Sequence, residues 1–179
     1  DGMFIDSWGL DIAPGAHGMQ ISQEGPEEFL YLSATTEHVV VKTTLGGDEI
    51  LRLRMPDRPD IYSGDERLFI PTECAVARNG TIYVTDGYGQ PWVHLYDRNG
   101  VYLHSFGGPG SGPGQFNNPH GIKIDTRQGQ ERVLVADRGN KRLQYFSLDG
   151  THLGTVEGMF RFPCTTHQVG EFLYVPDLF

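Results

Sequence analysis

NPHGIKIDTRQGQERVLVADRGNKRLQYFSLDG, residues 118–150, decides the fold. Pro119-His120-Gly121 reads as a turn, and Ile122-Lys123-Ile124 alternates apolar and polar as a half-buried strand does. Arg127 to Glu131 is a polar loop. Val133-Leu134-Val135-Ala136 is a short apolar run fit for a buried strand. Asp137-Arg138-Gly139-Asn140 is a tight turn into Leu143-Gln144-Tyr145-Phe146, which Leu148-Asp149-Gly150 closes. Leu153 and Val156 mark a fourth strand. Four short antiparallel strands in succession make one propeller blade.

The unit repeats. Upstream, Pro71 to Ala77 opens in the same way, Thr81 to Asp86 matches Arg132 to Asp137, and Val93 to Asp97 with Asn99-Gly100 closes. Further back, Ala16 to Ile21 opens a unit, followed by Phe29 to Ser33 and His38 to Lys42. Downstream, Phe162-Pro163-Cys164 opens another, followed by Phe172 to Asp177. Taking His17, Thr72, His120 and Cys164 as equivalent, the separations are 55 (17 to 72), 48 (72 to 120) and 44 (120 to 164) residues. Propeller blades repeat at roughly 40–50 residues. The predicted fold is therefore all-β, a propeller of four-stranded blades.

The 24 Gly and 11 Pro among 179 residues suit a turn-rich β chain, and hydrophobic residues at 38% suffice for one core. No window sustains a helical period, no run approaches the roughly 18 apolar residues of a membrane span, and no signal-peptide pattern is visible. Net charge is −9, and the 14 basic residues are scattered. Phosphate recognition needs clustered Lys and Arg, so nucleic acid and anionic membranes are not expected partners. Cys74 and Cys164 occupy equivalent repeats near the start of an inner strand. Blade openings lie well apart, which favours two buried thiols over a disulfide.

Taken in order, the chain reads as one propeller domain. Residues 1–10 are the outer strand of a partial blade, since DGMFIDSWG resembles VYLHSFG at Val101–Gly107. Blades follow at about 16–54, 71–106 and 118–157, and a partial blade at 162–179. Pro56 to Arg67 is a polar insert with Pro, Asp and Gly, predicted to be a loop. Gly107 to Phe116 is a Gly/Pro crossover between blades. Blade edges left open by this count are places where copies of the chain could associate.

The first strand of each blade lines the central channel, so His17, Thr72, His120 and Cys164 are expected to point inward. Histidine recurs in alternate blades. In a six-bladed ring, alternate blades sit about 120° apart. Three such histidines would form a three-imidazole site with an open fourth position, as in catalytic zinc. His17 and His120 are two of them, and the third is expected one blade past Cys164. The plainer reading of each His-Gly is a turn residue inherited with the repeat. Tyr88 and Arg138 follow Asp86 and Asp137 in the turns at one rim of the channel. A tyrosine beside a cation can serve as a general base, and an arginine can hold a carboxylate bidentately. Packing and an inter-blade ion pair are the plainer roles. Asp86, Asp137 and Asp177 recur as caps for turn N–H groups. His38, His94, His104, His152 and His167 are read as surface or packing residues.

Val84 to Tyr88, Pro113 to Gly121 and Val135 to Phe146 resemble the NHL-repeat propellers. Within these, they are most similar to the peptidylglycine α-hydroxyglycine amidating lyase domain and its bacterial relatives. The resemblance implies a six-bladed propeller in which three channel histidines hold zinc. A tyrosine and arginines then act on a hydroxyglycine, giving an amide and glyoxylate. By matching motif, His17 and His120 would be metal ligands, Tyr88 the base and Arg138 a substrate-binding arginine. The cysteine that stands beside the family's Asp-Gly-Tyr turn is Gly89 here. Two functions are thus expected of the channel: lyase-like chemistry at a metal, or non-catalytic binding of a small molecule, peptide or protein.

Overall fold

The computed structural model describes residues 2–4 and 6–178. Three four-stranded antiparallel sheets follow one another. The first is β1 (Ala16–Glu24), β2 (Glu27–Ala34), β3 (Val39–Thr44) and β4 (Glu49–Leu53). A four-residue helix, α1 (Pro59–Tyr62), and a single 3-10 turn (Glu66–Leu68) lead to the second. That sheet is β5 (Glu73–Val76), β6 (Ile82–Thr85), β7 (Trp92–Tyr96) and β8 (Tyr102–Gly107). The third is β9 (Pro119–Asp125), β10 (Arg132–Asp137), β11 (Arg142–Phe146) and β12 (His152–Val156). A two-stranded sheet, β13 (His167–Val169) and β14 (Phe172–Tyr174), completes the described chain. In each four-stranded sheet the strands pair in chain order. The first strands β1, β5 and β9 lie side by side, which is the radial arrangement of a β-propeller.

The apolar runs of the second strands are explained by two buried faces with period-two alternation. Ile82 and Val84 of β6 pack toward the first sheet with Tyr31, Val40 and Leu53. Tyr83, between them, packs toward the third sheet with Ile122, Val133 and Val135. Leu134 and Ala136 of β10 face the other way, against Phe160, Leu173 and Val175. Phe106, Phe116 and Phe146 close the outer part of the second interface, with ring centroids 4.7 to 6.2 Å apart. Aromatic pairs at such spacings add about 0.5–1.5 kcal/mol beyond area burial. Phe116 therefore makes the Gly/Pro crossover a packed connection rather than a free linker: it is fully buried and its N–H bonds the Gly108 carbonyl at 2.8 Å.

Inner strands meet closely at two glycines. A Cβ at Gly18 would collide with the Thr72 carbonyl, and one at Gly121 with the Cys164 carbonyl and Thr165 backbone. The His-Gly pair at each opening thus places an imidazole where the following residue has no side chain to hold neighbours apart. Each recurring aspartate ties the end of a second strand to the segment preceding its own blade. Asp86 accepts the Ile70 N–H at 2.7 Å, Asp137 the Asn117 N–H at 2.8 Å, and Asp177 the Phe162 N–H at 2.6 Å.

Three sequence expectations are corrected. Among the described residues of 1–10 there is no strand; Gly2 and Gly9 take positive φ, and Trp8 packs over Gly47 instead of joining a ladder. Asp1 and Ile5 lie outside the described residues. The Pro56–Arg67 insert is not merely a polar loop: it carries α1 and plants Tyr62, fully buried, between the first two sheets. Both cysteines are free thiols, but only Cys74 is buried. Cys164 is partly exposed because its segment lies in irregular backbone at the edge of the third sheet, with its Sγ directed to the Phe162 carbonyl.

Candidate active site

His17 is the second residue of β1 and His120 the second residue of β9, so equivalent registers on alternate sheets bring both imidazoles into the channel. Their ring centroids are 4.9 Å apart. The intervening openings contribute backbone rather than side chains. The Thr72 carbonyl lies 2.8 Å from His17 Nδ1, and the Cys164 carbonyl 2.8 Å from His120 Nδ1. A carbonyl can only accept, so both Nδ1 atoms carry the proton and both Nε2 atoms keep their lone pairs. Thr72 turns its own hydroxyl to Thr85 and the Pro119 carbonyl and is wholly buried.

The two lone pairs converge on one atom. Tyr88 Oη lies 2.9 Å from His120 Nε2 and 3.2 Å from His17 Nε2. The phenol donates its single proton to one of two acceptors, with the shorter contact to His120. Tyr88 stands in the turn between β6 and β7, its N–H bonded to the Ile70 carbonyl at 3.3 Å. Gly87 permits this turn, since a Cβ there would press on Thr72 Oγ1 and the Pro119 carbonyl. Arg138, in the 3-10 turn after β10, lies with its guanidinium 5.3 Å from the Tyr88 ring centroid and enters no ion pair among the described residues. Burial, reinforced by Arg138 and His17, pushes His120 down to about 4 despite the carbonyl at its Nδ1, so this imidazole is neutral at ordinary pH. All four residues singled out in the sequence thus meet at one rim of the channel.

The donor set suits a borderline-soft divalent cation in kind: two imidazoles whose Nδ1–H groups are pinned by carbonyls, the outer-shell arrangement that orients metal-bound histidines. It falls short of zinc's usual three protein ligands in number. No group of three or more His, Cys, Asp or Glu side chains able to hold a metal occurs among the described residues.

Sequence reasoning missed a second polar cluster directly behind the turn. Tyr62 Oη lies 2.7 Å from Asp86 Oδ2 and 2.6 Å from His94 Nε2, and all three residues are fully buried. His94 occupies the register filled by Gln144 in the next sheet, opposite Val84 as Gln144 is opposite Val135. That repeat substitution was the available signal. Tyr62 gave none, because its burial depends on an insert folding back across the sheet interface.

A family model described as a six-bladed β-propeller matches residues 71–178. The chain belongs to that family. Human NHL repeat-containing protein 3 is 31% identical over 184 residues, covering 99% of this chain and 51% of that protein. A probable peptidyl-alpha-hydroxyglycine alpha-amidating lyase of Caenorhabditis elegans is 28% identical over 147 residues, covering 80% of this chain and 40% of that one. The propeller spans about half the length of the curated NHL relatives it matches. Among solved structures, a catalytically inactive virginiamycin B lyase from Staphylococcus aureus with quinupristin superposes with a TM-score of 0.65 at 13% identity, over 94% of this chain and 50% of that chain. That likeness establishes the fold. In the propeller, no helix of the described residues is long and apolar enough to cross a membrane.

Proposed function

We propose that the rim cluster is a lyase-like metal site that cleaves the C–N bond of an α-hydroxyglycine-type substrate. The observation that supports it best is the convergence of the His17 and His120 lone pairs on Tyr88 Oη, within 3.2 and 2.9 Å. His17 and His120 would hold a divalent ion, zinc by donor type. When bound, such an ion acts as a Lewis acid toward an oxygen of the substrate. The chain's own residues do the rest. Arg138, which enters no ion pair among the described residues, binds the substrate carboxylate. With the two histidine lone pairs committed to an ion, Tyr88 would have given up its own proton to solvent, and its phenolate Oη takes the proton of the substrate hydroxyl. The electron pair of that O–H bond forms the aldehyde carbonyl, the C–N bond breaks, and the amide nitrogen takes up the proton that Tyr88 has gained. The products are a primary amide and glyoxylate, so atoms and charge balance. The likeness to amidating lyases at about 30% identity supports the substrate class.

A second reading rests on the number of donors. The single Tyr88 proton satisfies one of the two imidazoles without an ion and leaves the other lone pair open to a ligand's donor, which suits a non-catalytic channel that binds a small molecule or peptide. The test is glyoxylate release from an N-acyl-α-hydroxyglycine peptide with added zinc. The lyase reading expects turnover that falls at least about 100-fold in Tyr88→Phe and is lost in His120→Ala. Peptide binding with no glyoxylate above background would leave the binding channel as the function.

A further inference from the structure

The cluster behind Tyr88 is a directed hydrogen-bond chain. Tyr62 has one hydroxyl proton, and Asp86 Oδ2, 2.7 Å away, can only accept it at neutral pH, where the carboxyl is ionised: burial pushes it up to about 6, while bonds from Tyr62, Gln90 and Ile70 hold it down. The contact between Tyr62 Oη and His94 Nε2 must then be donated by His94. Burial keeps that imidazole neutral, pushing it down to about 3. His94 Nδ1 is therefore an acceptor, and Ser105 Oγ, 2.7 Å away, donates to it. Ser105 in turn accepts from Tyr102 Oη at 2.9 Å, which accepts from Arg58 Nη1 at 3.1 Å. Every proton is assigned, and all point from Arg58 at the surface to Asp86 in the interior.

Asp86 is where the chain meets the candidate site. Its Oδ1 holds the Ile70 N–H at 2.7 Å and its Oδ2 the Gln90 N–H at 2.8 Å. The Ile70 carbonyl holds the Tyr88 N–H. Both ends of the Tyr88 turn are thus fixed by one carboxylate. In the next sheet the equivalent Asp137 is held otherwise, by Arg142 Nε at 2.8 Å, Asn140 Nδ2 at 2.8 Å and Gln144 Nε2 at 3.1 Å. There the cation is part of the repeat. In the Tyr88 sheet the corresponding role passes to Tyr62, from the insert that only this blade junction carries among the described residues.

We propose that Tyr62, oriented by His94 and acting through Asp86, is a positioning residue that sets the Tyr88 hydroxyl between the two imidazoles, so that the Pro56–Arg67 insert specialises this one repeat for the site. The inference rests on the role given to Tyr88 above, and its test separates the two. The full chain is labelled with ¹⁵N-histidine, and the His120 Nε2 resonance, which reports the bond from Tyr88, is compared among variants. Tyr88→Phe marks the position of a broken bond. Tyr62→Phe and His94→Leu are expected to move the resonance toward that position. His94→Gln is expected to restore it, because a glutamine amide donates to Tyr62 and accepts from Ser105, and the equivalent Gln144 shows that the fold admits one. Phe146→Leu serves as a control of comparable destabilisation and is expected to leave the resonance in place. A Tyr62→Phe protein that loses stability like this control, with the His120 resonance unmoved, overturns the inference. Should Tyr62→Phe not fold, the His94→Leu and His94→Gln pair decides: equal resonances in the two overturn it. A wild-type protein that binds no zinc, yet shows the resonance shifts, removes the metal reading and leaves the positioning role standing.

Discussion

At the scale of single residues, the site is a matter of proton placement. The Thr72 and Cys164 carbonyls fix the tautomers of His17 and His120, and those tautomers aim both lone pairs at Tyr88 Oη. Tyr88→Phe removes a hydroxyl that is partly exposed, so it is expected to cost under about 1 kcal/mol of stability while changing the titration of His120, the acceptor of its shorter contact. Histidine ¹H–¹⁵N spectra across pH 4–8 check this, and an identical His120 titration in wild type and variant would contradict it. His17, Tyr88, His120 and Arg138 were legible in the sequence because each sits at a fixed offset in a repeat whose register a one-residue slip would reverse. Tyr62 was not legible: its partners Asp86 and His94 are 24 and 32 residues away, and nothing in Pro59-Asp60-Ile61-Tyr62 marks the phenol as buried.

At the scale of elements, neighbouring blades are held by close inner strands and by aromatic packing farther out. Gly121→Ala would drive a methyl into the Cys164 carbonyl and the Thr165 backbone. A loss of about 1–3 kcal/mol is expected, as for overpacking elsewhere, seen as a lower midpoint in urea; an unchanged midpoint would show that these strands can separate. Phe146 lies at the centre of the Phe106–Phe116–Phe146 cluster, and Phe146→Ala is expected to cost about 3–5 kcal/mol. Strand positions were readable because second strands buried on both faces become continuous apolar runs, as in Val133-Leu134-Val135-Ala136. The N-terminal segment misled because its Phe, Ile and Trp imitate an outer strand, whereas a strand also needs a partner strand, and Trp8 packs over Gly47 without joining a ladder.

At the scale of the whole molecule, one half-buried carboxylate links three successive units. Glu73 of β5 accepts the Ile122 N–H of β9 at 3.1 Å and the Thr165 hydroxyl at 2.6 Å. Burial pushes this carboxyl up from 4.5 to about 7, against the pull of those bonds and of Lys123. A raised acid means that the folded state keeps its proton through a window where the unfolded chain has lost it. Stability from this group is therefore full below about pH 4.5 and declines as pH rises toward 7. Glu73→Gln cannot lose a proton, so relative to wild type it is expected to gain roughly 1–3 kcal/mol between pH 5 and pH 8. Denaturant midpoints at the two pH values measure this, and parallel changes in both proteins would count against it.

The most direct test of the central claim, that the channel rim is a metal site built by His17 and His120, is zinc stoichiometry and affinity by titration calorimetry on the wild-type chain beside His17→Ala and His120→Ala. About one ion per chain, lost in both variants while their folded structure persists, is the result predicted. An ion retained in either variant, or none bound by the wild type, would contradict it and leave the two histidines as hydrogen-bonding partners of Tyr88.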